Sequence, residues 1–211
     1  MTLYKGSTLI KNVYVGSSRI KEIYKGSTLV FQGLYPSGTV LFESATPGTY
    51  NIYLEHTQTY SIIMVGGGAG GSGIQTGSSM YTRWLYGGGG SGALIYGNID
   101  LGEGGYSVVV GSGGAAGYKS SGTNGTQSSF LNNVAGGGVS HYSNPTGGVA
   151  TVSSAGLIGA NGNSGVSGDG PTSGSGGAGG ASLYGGYGAG GWGSWTGSQP
   201  GTVGYVKIWV P

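Results

Sequence analysis

The chain lacks cysteine and is poor in charge, proline and long apolar runs. None of its 211 residues is cysteine, six are proline and 7% are charged. Without cysteine no disulfide framework can support the fold. With only eight Lys and Arg residues, the chain does not fit a nucleic-acid-binding protein, which needs many cations to displace counterions. No signal-peptide pattern follows Met1 and no apolar run approaches the length of a membrane-spanning helix, so we expect neither classical export nor membrane insertion.

Groups suited to catalysis or metal binding are equally scarce. The two histidines are His56, which we expect at the surface, and His141, which lies in a loop without a nearby acid. Neither supports a Ser–His–acid triad or a metal site. Gly66–Gly71 matches a dinucleotide-loop pattern, but the residues after it cannot hold the required helix, and Tyr118 interrupts a phosphate-loop pattern in Gly113–Ser120. We therefore expect a protein without enzymatic activity, cofactor or metal.

Glycine is what the chain has in abundance. It has 53 glycines, and 44 of them lie in Gly66–Gly193. Between Gly156 and Gly180 glycine takes every third position except that of Pro171. A period of three fits an extended helix with three residues per turn, and glycine lets neighbouring backbones approach closely. The spacing predicts a bundle of polyglycine-II helices with a break near Asp169–Pro171. The alternative is disorder, against which stand 16 tyrosines and four tryptophans.

The amino-terminal residues 1–34 form a separate predicted domain. Three ten-residue repeats, Leu3–Asn12, Val13–Glu22 and Ile23–Gln32, each contain a Gly-Ser pair typical of a turn. We expect a small β-meander. Five of the eight basic residues lie in this part of the chain, with one acid. A three-stranded meander is marginal alone, so it either anchors the chain to a partner or to copies of itself, or forms a small independent domain.

Residues 39–211 form the predicted glycine-rich domain. No segment has a helical period, so the fold class is mainly β with almost no α-helix. Apolar alternation predicts β-sandwich-like strands that flank the glycine bundle. The predicted strands are Thr39–Glu43, Thr49–Leu54, Tyr60–Val65, Tyr106–Val110 and Val203–Val210.

Aromatic segments interrupt the glycine runs and are read as loops, namely Met80–Tyr86, His141–Asn144 and Tyr184–Trp195. Loops at the ends of packed rods are where function concentrates. Their rings either cover the bundle or form an adhesive surface, because tryptophan, tyrosine and arginine dominate binding hot spots. The candidate receptor-binding residues are Tyr81, Arg83, Trp84, Tyr86, His141, Tyr142, Tyr184, Tyr187, Trp192 and Trp195.

Glycine runs that alternate with aromatic segments between strands resemble the glycine-rich receptor-binding domains of bacteriophage tail fibres, such as the tip adhesins of T-even-type phages. The runs Gly66–Gly73, Gly87–Gly92 and Gly174–Gly180 carry the resemblance. It implies a virion tail protein that attaches the phage to a bacterial surface glycan or outer protein and contacts other tail proteins. Fibre proteins are commonly symmetric, so a homotrimer is favoured. The alternatives are a capsid decoration or head-fibre protein and an ice-binding protein.

Overall fold

The structure, a computed structural model, describes residues 4–5, 8–9, 13–15, 18–20, 22–25, 28–32, 34–76, 83–170, 179–194 and 197–211. Over these ranges the secondary structure is β throughout, which confirms the predicted fold class. None of the described residues lies in a helix able to span a membrane. The strands are β1 Tyr4–Lys5, β2 Thr8–Leu9, β3 Val13–Val15, β4 Ser18–Ile20, β5 Glu22–Lys25, β6 Thr28–Gln32, β7 Val40–Ser44, β8 Gly48–Leu54, β9 Gln58–Val65, β10 Ser72–Thr76, β11 Arg83–Gly87, β12 Leu94–Leu101, β13 Gly104–Val110, β14 Ser128–Phe130, β15 Asn133–Ala135, β16 Ala150–Thr151, β17 Leu157–Ala160, β18 Ser167–Gly170 and β19 Tyr205–Trp209.

The amino-terminal repeats pair as hairpins. β1 pairs with β2, β3 with β4 and β5 with β6, all antiparallel, as three separate two-stranded sheets among the described residues. The predicted antiparallel β-structure of the repeats is therefore present, and among the described strands each hairpin coincides closely with one ten-residue repeat.

Two five-stranded sheets form a sandwich. Sheet I has the order β17-β12-β9-β19-β7, and sheet II has the order β16-β15-β14-β13-β8. The five strands predicted from apolar alternation all belong to these sheets, as β7, β8, β9, β13 and β19, which confirms the predicted sandwich. Both sheets contribute buried side chains to the sandwich core, which consists of Leu54, Tyr60, Ile62, Met64, Ile95, Ile99, Leu101, Val108, Val110, Phe130, Ala135, Leu157, Val206, Ile208 and Val210.

Strand β12 of sheet I was not predicted. Its eight residues all pair with β9, and Ile95 and Ile99 point into the core. Gly97 takes the inward position between them. It has a φ of 140°, and a Cβ built on it would lie 2.2 Å from the carbonyl oxygen of Gly156. Glycine is required where β12 meets the turn before β17, and it interrupts the alternation by which a strand is recognised.

Extended glycine-rich segments leave the sandwich as a bundle. The N–H groups of residues 66–71 donate in turn to three different neighbouring segments at 2.9–3.0 Å. In order, Gly66 and Ala69 donate to Ala93 and Gly90, Gly67 and Gly70 to Thr126 and Thr123, and Gly68 and Gly71 to Thr202 and Gln199. The hydrogen bonds therefore repeat every three residues, as the sequence predicted, whereas those of a strand repeat every two.

The Cα atoms of the bundle glycines lie against neighbouring carbonyl groups. A Cβ built on Gly67 would be 1.9 Å from the carbonyl oxygen of Ser112, and one on Gly70 would be 1.9 Å from that of Ala115. Atoms cannot approach this closely, so only a Cα hydrogen fits. Such Cα–H···O contacts add to the N–H bonds between segments. The bundle is thus packed through its backbone.

The stretch from Gly156 to Gly180 is not uniform. β17 and β18 take part of it into β-ladders, so the prediction of packed helices throughout is wrong for these eight residues. The apolar Leu157 fills the sandwich core, which explains why this part joins sheet I. Residues 161–166 do lie in the bundle, since Gly88 donates to the carbonyl oxygen of Val166 at 2.9 Å. Residues 171–178, where the predicted break continues, lie outside the described residues.

The domain has two distinct ends. β9 continues through residues 66–71 into β10, and β11 returns through residues 88–93 into β12. β10, β11 and β18 form a tip sheet beyond the bundle. At the opposite end, which we call the base, the chain enters the sandwich at Tyr35, whose N–H donates to Gln58 at 3.0 Å. His56 packs there against the Tyr35 ring and is 4% exposed, so the expectation of a surface histidine is wrong.

Candidate functional site

Three segments surround the tip sheet, namely the chain reversals at residues 118–121 and 141–145 and the described segment 192–194. Gly73 donates to the carbonyl oxygen of Ser120 at 3.1 Å. A Cβ on Gly87 would lie 2.2 Å from the carbonyl oxygen of His141, and one on Gly71 would lie 2.0 Å from that of Trp192. All three segments therefore lie beside residues where the bundle joins the tip sheet. We call these segments and the tip sheet together the tip.

Large aromatic side chains project from the tip into solvent. Tyr118 is 64% exposed and Trp192 is 60% exposed. The ammonium group of Lys119 lies 5.4 Å from the centre of the Tyr118 ring, within the range of a cation–π interaction. Lys119 has a φ of 55°, which is uncommon for a residue with a side chain. The exposed ring and the cation at this reversal offer a surface that can bind a ligand.

Sequence reasoning selected Trp192 but missed Tyr118 and Lys119. Tyr118 entered it only as the residue that interrupts a phosphate-loop pattern. The other aromatic segments were selected because they lie beside glycine runs. The same rule could have found Tyr118 and Lys119, which lie directly after Gly117 and shortly before Gly122.

The reversal at residues 141–145 is held by its own histidine. The Nδ1 atom of His141 accepts the N–H groups of Ser143 at 3.2 Å and Asn144 at 3.1 Å. The His141 ring stacks on the Tyr142 ring with centres 4.5 Å apart and planes at 26°. Both rings are half-buried, and Pro145 is buried. These contacts fix the orientation of Tyr142, so the loop predicted from sequence is present and ordered by side chains.

A small pocket lies between this reversal and the edge of the tip sheet. Its cavity volume is about 240 Å³, and its lining combines an aromatic ring, an aliphatic side chain and two hydroxyl-bearing residues. The lining residues are Leu85, Tyr142, Ser143, Ser167 and Gly168. We call this cavity the tip pocket.

The predicted loop Met80–Tyr86 is in part a strand. Arg83, Trp84 and Tyr86 belong to β11, and Tyr81 lies outside the described residues. Tyr86 is fully buried, and burial raises the pKa of its hydroxyl. Its assignment to an exposed binding surface is therefore wrong, because β11 is the central strand of the tip sheet and leaves this ring no access to solvent.

The predicted segment Tyr184–Trp195 is divided between the two ends of the bundle. Trp192 belongs to the tip, and Trp195 lies outside the described residues. Tyr184 and Tyr187 lie instead beside the sandwich, where their rings stack on Tyr205 of β19 with centres 5.6 Å and 4.5 Å away. These two tyrosines are therefore not brought together with the tip residues.

A polar network anchors this second aromatic group. The Tyr205 hydroxyl donates to Glu43 at 2.7 Å, and Lys207 forms an ion pair with the same carboxylate at 3.0 Å. The hydrogen bond from Tyr205, and then that from Lys207, lowers the pKa of Glu43. Burial, followed by the hydrogen bond to Glu43, raises the pKa of Tyr205. The network locks the rings onto the outer face of sheet I.

An apolar groove of about 510 Å³ crosses the same outer face. Its walls are the rings of Tyr96, Tyr184 and Trp209, and Ile63 and Leu94 also line it. The Asn98 amide oxygen at one end accepts the Ser61 hydroxyl at 2.6 Å. The groove is larger and much less polar than the tip pocket, so the two cavities suit different ligands.

The chain matches the model of the glycine-rich domain family over residues 44–209. The chain belongs to this family. A comparison with curated proteins found no match. The match covers the bundle, the tip and the sandwich from β8 to β19, and it begins after the amino-terminal repeats, at the last residue of β7.

In this glycine-rich domain the titratable side chains are dispersed. Within the described ranges, no group of three or more histidine and carboxylate side chains is placed to hold a metal ion. The tip contains the charged or titratable residues Arg83, Lys119, His141 and Asp169, and the base contains the exposed carboxylates Glu55, Asp100 and Glu103. The described tip offers aromatic surface, hydroxyl groups, backbone groups and single charges, which are means of binding.

Proposed function

We propose that the chain is a non-enzymatic attachment protein, the receptor-binding component of a bacteriophage tail fibre, and that its tip contacts the bacterial surface. The observation that carries the proposal is the exposure of Tyr118 and Trp192 at the end of the bundle opposite to where the amino-terminal repeats enter the base. Burial of such rings in an interface contributes strongly to affinity. A backbone-packed bundle holds them away from the sandwich on a stiff support.

The amino-terminal repeats provide the attachment to the particle in this proposal. They precede the base, and they carry five basic residues and one acid through Gln32. Short two-stranded hairpins are marginally stable alone, so they gain stability by docking on other tail proteins or on copies of the chain. A homotrimer is the arrangement we favour, and sedimentation of the full-length chain at micromolar concentration tests it. A monomer would make docking on a separate fibre protein the better model.

Binding of the fluorescently labelled full chain to a panel of bacterial strains tests the attachment role. Tyr118→Ala is the informative variant, and Tyr53→Ala is its matched control, because Tyr53 is 62% exposed on the outer face of sheet II. Tyr118→Ala should weaken binding to the recognised strain by about 1–3 kcal/mol, as expected of an interface hot spot. Tyr53→Ala should bind like the parent chain.

Equal losses in both variants would place the contact surface outside the tip. If the parent chain binds no strain, and labelled antibodies locate it on the capsid of intact particles, a capsid decoration protein replaces the attachment protein.

A further inference from the structure

The tip pocket has the mixed lining that a sugar ring requires. A pyranose has an apolar C–H face and a rim of hydroxyl groups, so its site needs an aromatic or aliphatic surface beside hydrogen-bonding groups. Tyr142 and Leu85 supply the first, and Ser143 and Ser167 supply the second. A hydroxyl both donates and accepts, which suits a ligand whose own hydroxyls do the same.

The aromatic surface is oriented before any ligand binds. The His141 ring stacks on Tyr142 at 4.5 Å, and His141 is itself held by the N–H groups of Ser143 and Asn144. The Ser143 hydroxyl lies 3.1 Å from the same histidine nitrogen. Little side-chain freedom remains to be lost when a ligand enters, and such preorganisation favours binding.

The opposite wall adds backbone groups. In the described part of the chain, β18 pairs with β11 alone and is an edge strand of the tip sheet. An edge strand presents a row of peptide N–H and C=O groups without a strand partner. Ser167 is exposed on this strand, and Gly168 carries no side chain that would narrow the pocket. The Ser167 hydroxyl at this wall matches the hydroxyl rim of a sugar.

The volume and the lining of the pocket restrict which ligands it can bind. The volume of about 240 Å³ is below the range of about 300–1,000 Å³ that is typical of pockets for larger ligands, so one ring fits and an oligosaccharide does not. The described residues that line the pocket offer apolar surface and hydroxyl groups, which suit a neutral sugar. The apolar groove of sheet I would suit a protein side chain better.

From these contacts we propose that the tip pocket binds one neutral pyranose unit of a bacterial surface glycan. The proposal rests on the attachment function proposed above and specifies its receptor class.

Direct titration of the full chain tests the site without any bacterium. The probes are the methyl glycosides of glucose, galactose, mannose and N-acetylglucosamine, each followed by saturation-transfer NMR and calorimetry. We expect at least one to bind with a Kd on the order of 1 mM, as is common for single small contacts. Tyr142→Ala should weaken this binding by about tenfold or more, because the stacking surface is lost, while Tyr142→Phe keeps the ring and most of the affinity.

Ser167→Ala removes one exposed hydroxyl and is the second test variant, needed if Tyr142→Ala disturbs the fold of the reversal. Tyr53→Ala is the control outside the tip. If no glycoside binds, or if binding survives both Tyr142→Ala and Ser167→Ala unchanged, the proposed pyranose site is wrong.

Binding to bacteria treated with periodate or with protease shows whether the pyranose proposal or the attachment function has failed. Periodate destroys the vicinal diols of glycans, and protease removes outer proteins. We expect binding of the chain to a recognised strain to be lost after periodate and kept after protease. Loss after protease alone, with periodate-treated cells still bound, would indicate a protein receptor and overturn the glycan site while leaving attachment intact. Glycoside binding by a chain that binds no strain would overturn the attachment function and leave the pocket assignment intact.

Discussion

The sandwich and the glycine bundle are stabilised in opposite ways within one domain. The sandwich buries large side chains such as Phe130, Ile62 and Met64, each fully removed from water. Its stability follows the apolar area that these side chains bury, at about 25 cal/mol per Å². The bundle has no such interior. Its residues donate N–H bonds to three neighbours in turn, and their Cα atoms touch carbonyl oxygens.

This difference reverses the usual consequence of a substitution. In a side-chain core the damaging change is loss of volume, because it leaves a cavity. In the bundle the damaging change is a gain of side-chain volume, because backbone atoms of a neighbouring segment occupy the place that a Cβ would take. Glycine is therefore the core residue of the bundle, and its abundance is a packing requirement.

The sharpest test of the comparison adds one methyl group to the bundle. A Cβ at Gly70 would meet the carbonyl oxygen of Ala115 at 1.9 Å and its carbon at 2.4 Å, so a neighbouring backbone must move. Gly70→Ala should lower the free energy of unfolding by more than about 4 kcal/mol, in the range reserved for severe core disruption. Chemical denaturation followed by near-ultraviolet circular dichroism measures the loss.

Gly105→Ala is the matched control for Gly70→Ala. Gly105 lies in β13 of sheet II, and a Cβ there would have nothing within 4 Å. Its stability should stay within about 0.5 kcal/mol of the parent chain. Similar losses at the two positions would mean that backbone contact does not decide where glycine is required.

High pH should weaken the sandwich through Tyr60. This fully buried residue donates its hydroxyl to the carbonyl oxygen of His56 at 2.7 Å, and burial raises its pKa to about 12. The folded state holds the proton more tightly than the unfolded state, whose tyrosine has a pKa of about 10. The resulting stability is complete below pH 10 and is lost as the pH rises towards 12. Urea denaturation at a series of pH values measures this slope.

Tyr60→Phe removes one titrating group and should reduce that slope, while Tyr86 and Tyr205, whose pKa values burial also raises, keep the remainder. The loss of the hydrogen bond costs about 1 kcal/mol at neutral pH. An unchanged slope in the variant would assign the high-pH loss to other groups.

A smaller effect is expected when one methyl group is removed from the sandwich. Ile62 lies at the centre of β9 and is fully buried. Ile62→Val should reduce the free energy of unfolding by about 0.5–1.5 kcal/mol. The same denaturation experiment applies. A loss as large as that of Gly70→Ala would remove the distinction between the two regions, since one methyl group would then matter equally in both.

The same distinction explains what the sequence could predict. Alternation of apolar residues identified β7, β8, β9, β13 and β19, because each strand places one face against a side-chain core. The three-residue glycine spacing of Gly156–Gly180 predicted a bundle; residues 161–166 of that stretch lie in it, whereas β17 and β18 lie in β-ladders. β12 was missed because Gly97 serves a backbone contact inside a strand, where glycine hides the alternation.

The rule that aromatic residues beside glycine runs form loops selected His141, Tyr142 and Trp192, which the structure places at the tip. It failed for Tyr86 because the central strand of the tip sheet buries that ring. It failed for Tyr184 because this residue lies at the sandwich end of its bundle segment. That end is set by the pairing of distant segments, such as Gly71 with Gln199, which no local pattern records.

The smallest expected effect on stability is at the tip, and it tests whether binding and folding are separate. Trp192 is 60% exposed, although its backbone carbonyl packs against Gly71. Because the side chain is outside the packing and the backbone contact persists in any residue, Trp192→Ala should change the free energy of unfolding by less than about 0.5 kcal/mol. The same variant should weaken binding to a recognised bacterial strain by about 1–3 kcal/mol. If stability and binding instead fall together, the ring covers the bundle and belongs to its packing. The domain would then be stabilised in three ways: by a side-chain core in the sandwich, by backbone packing in the bundle and by aromatic rings that cover the bundle.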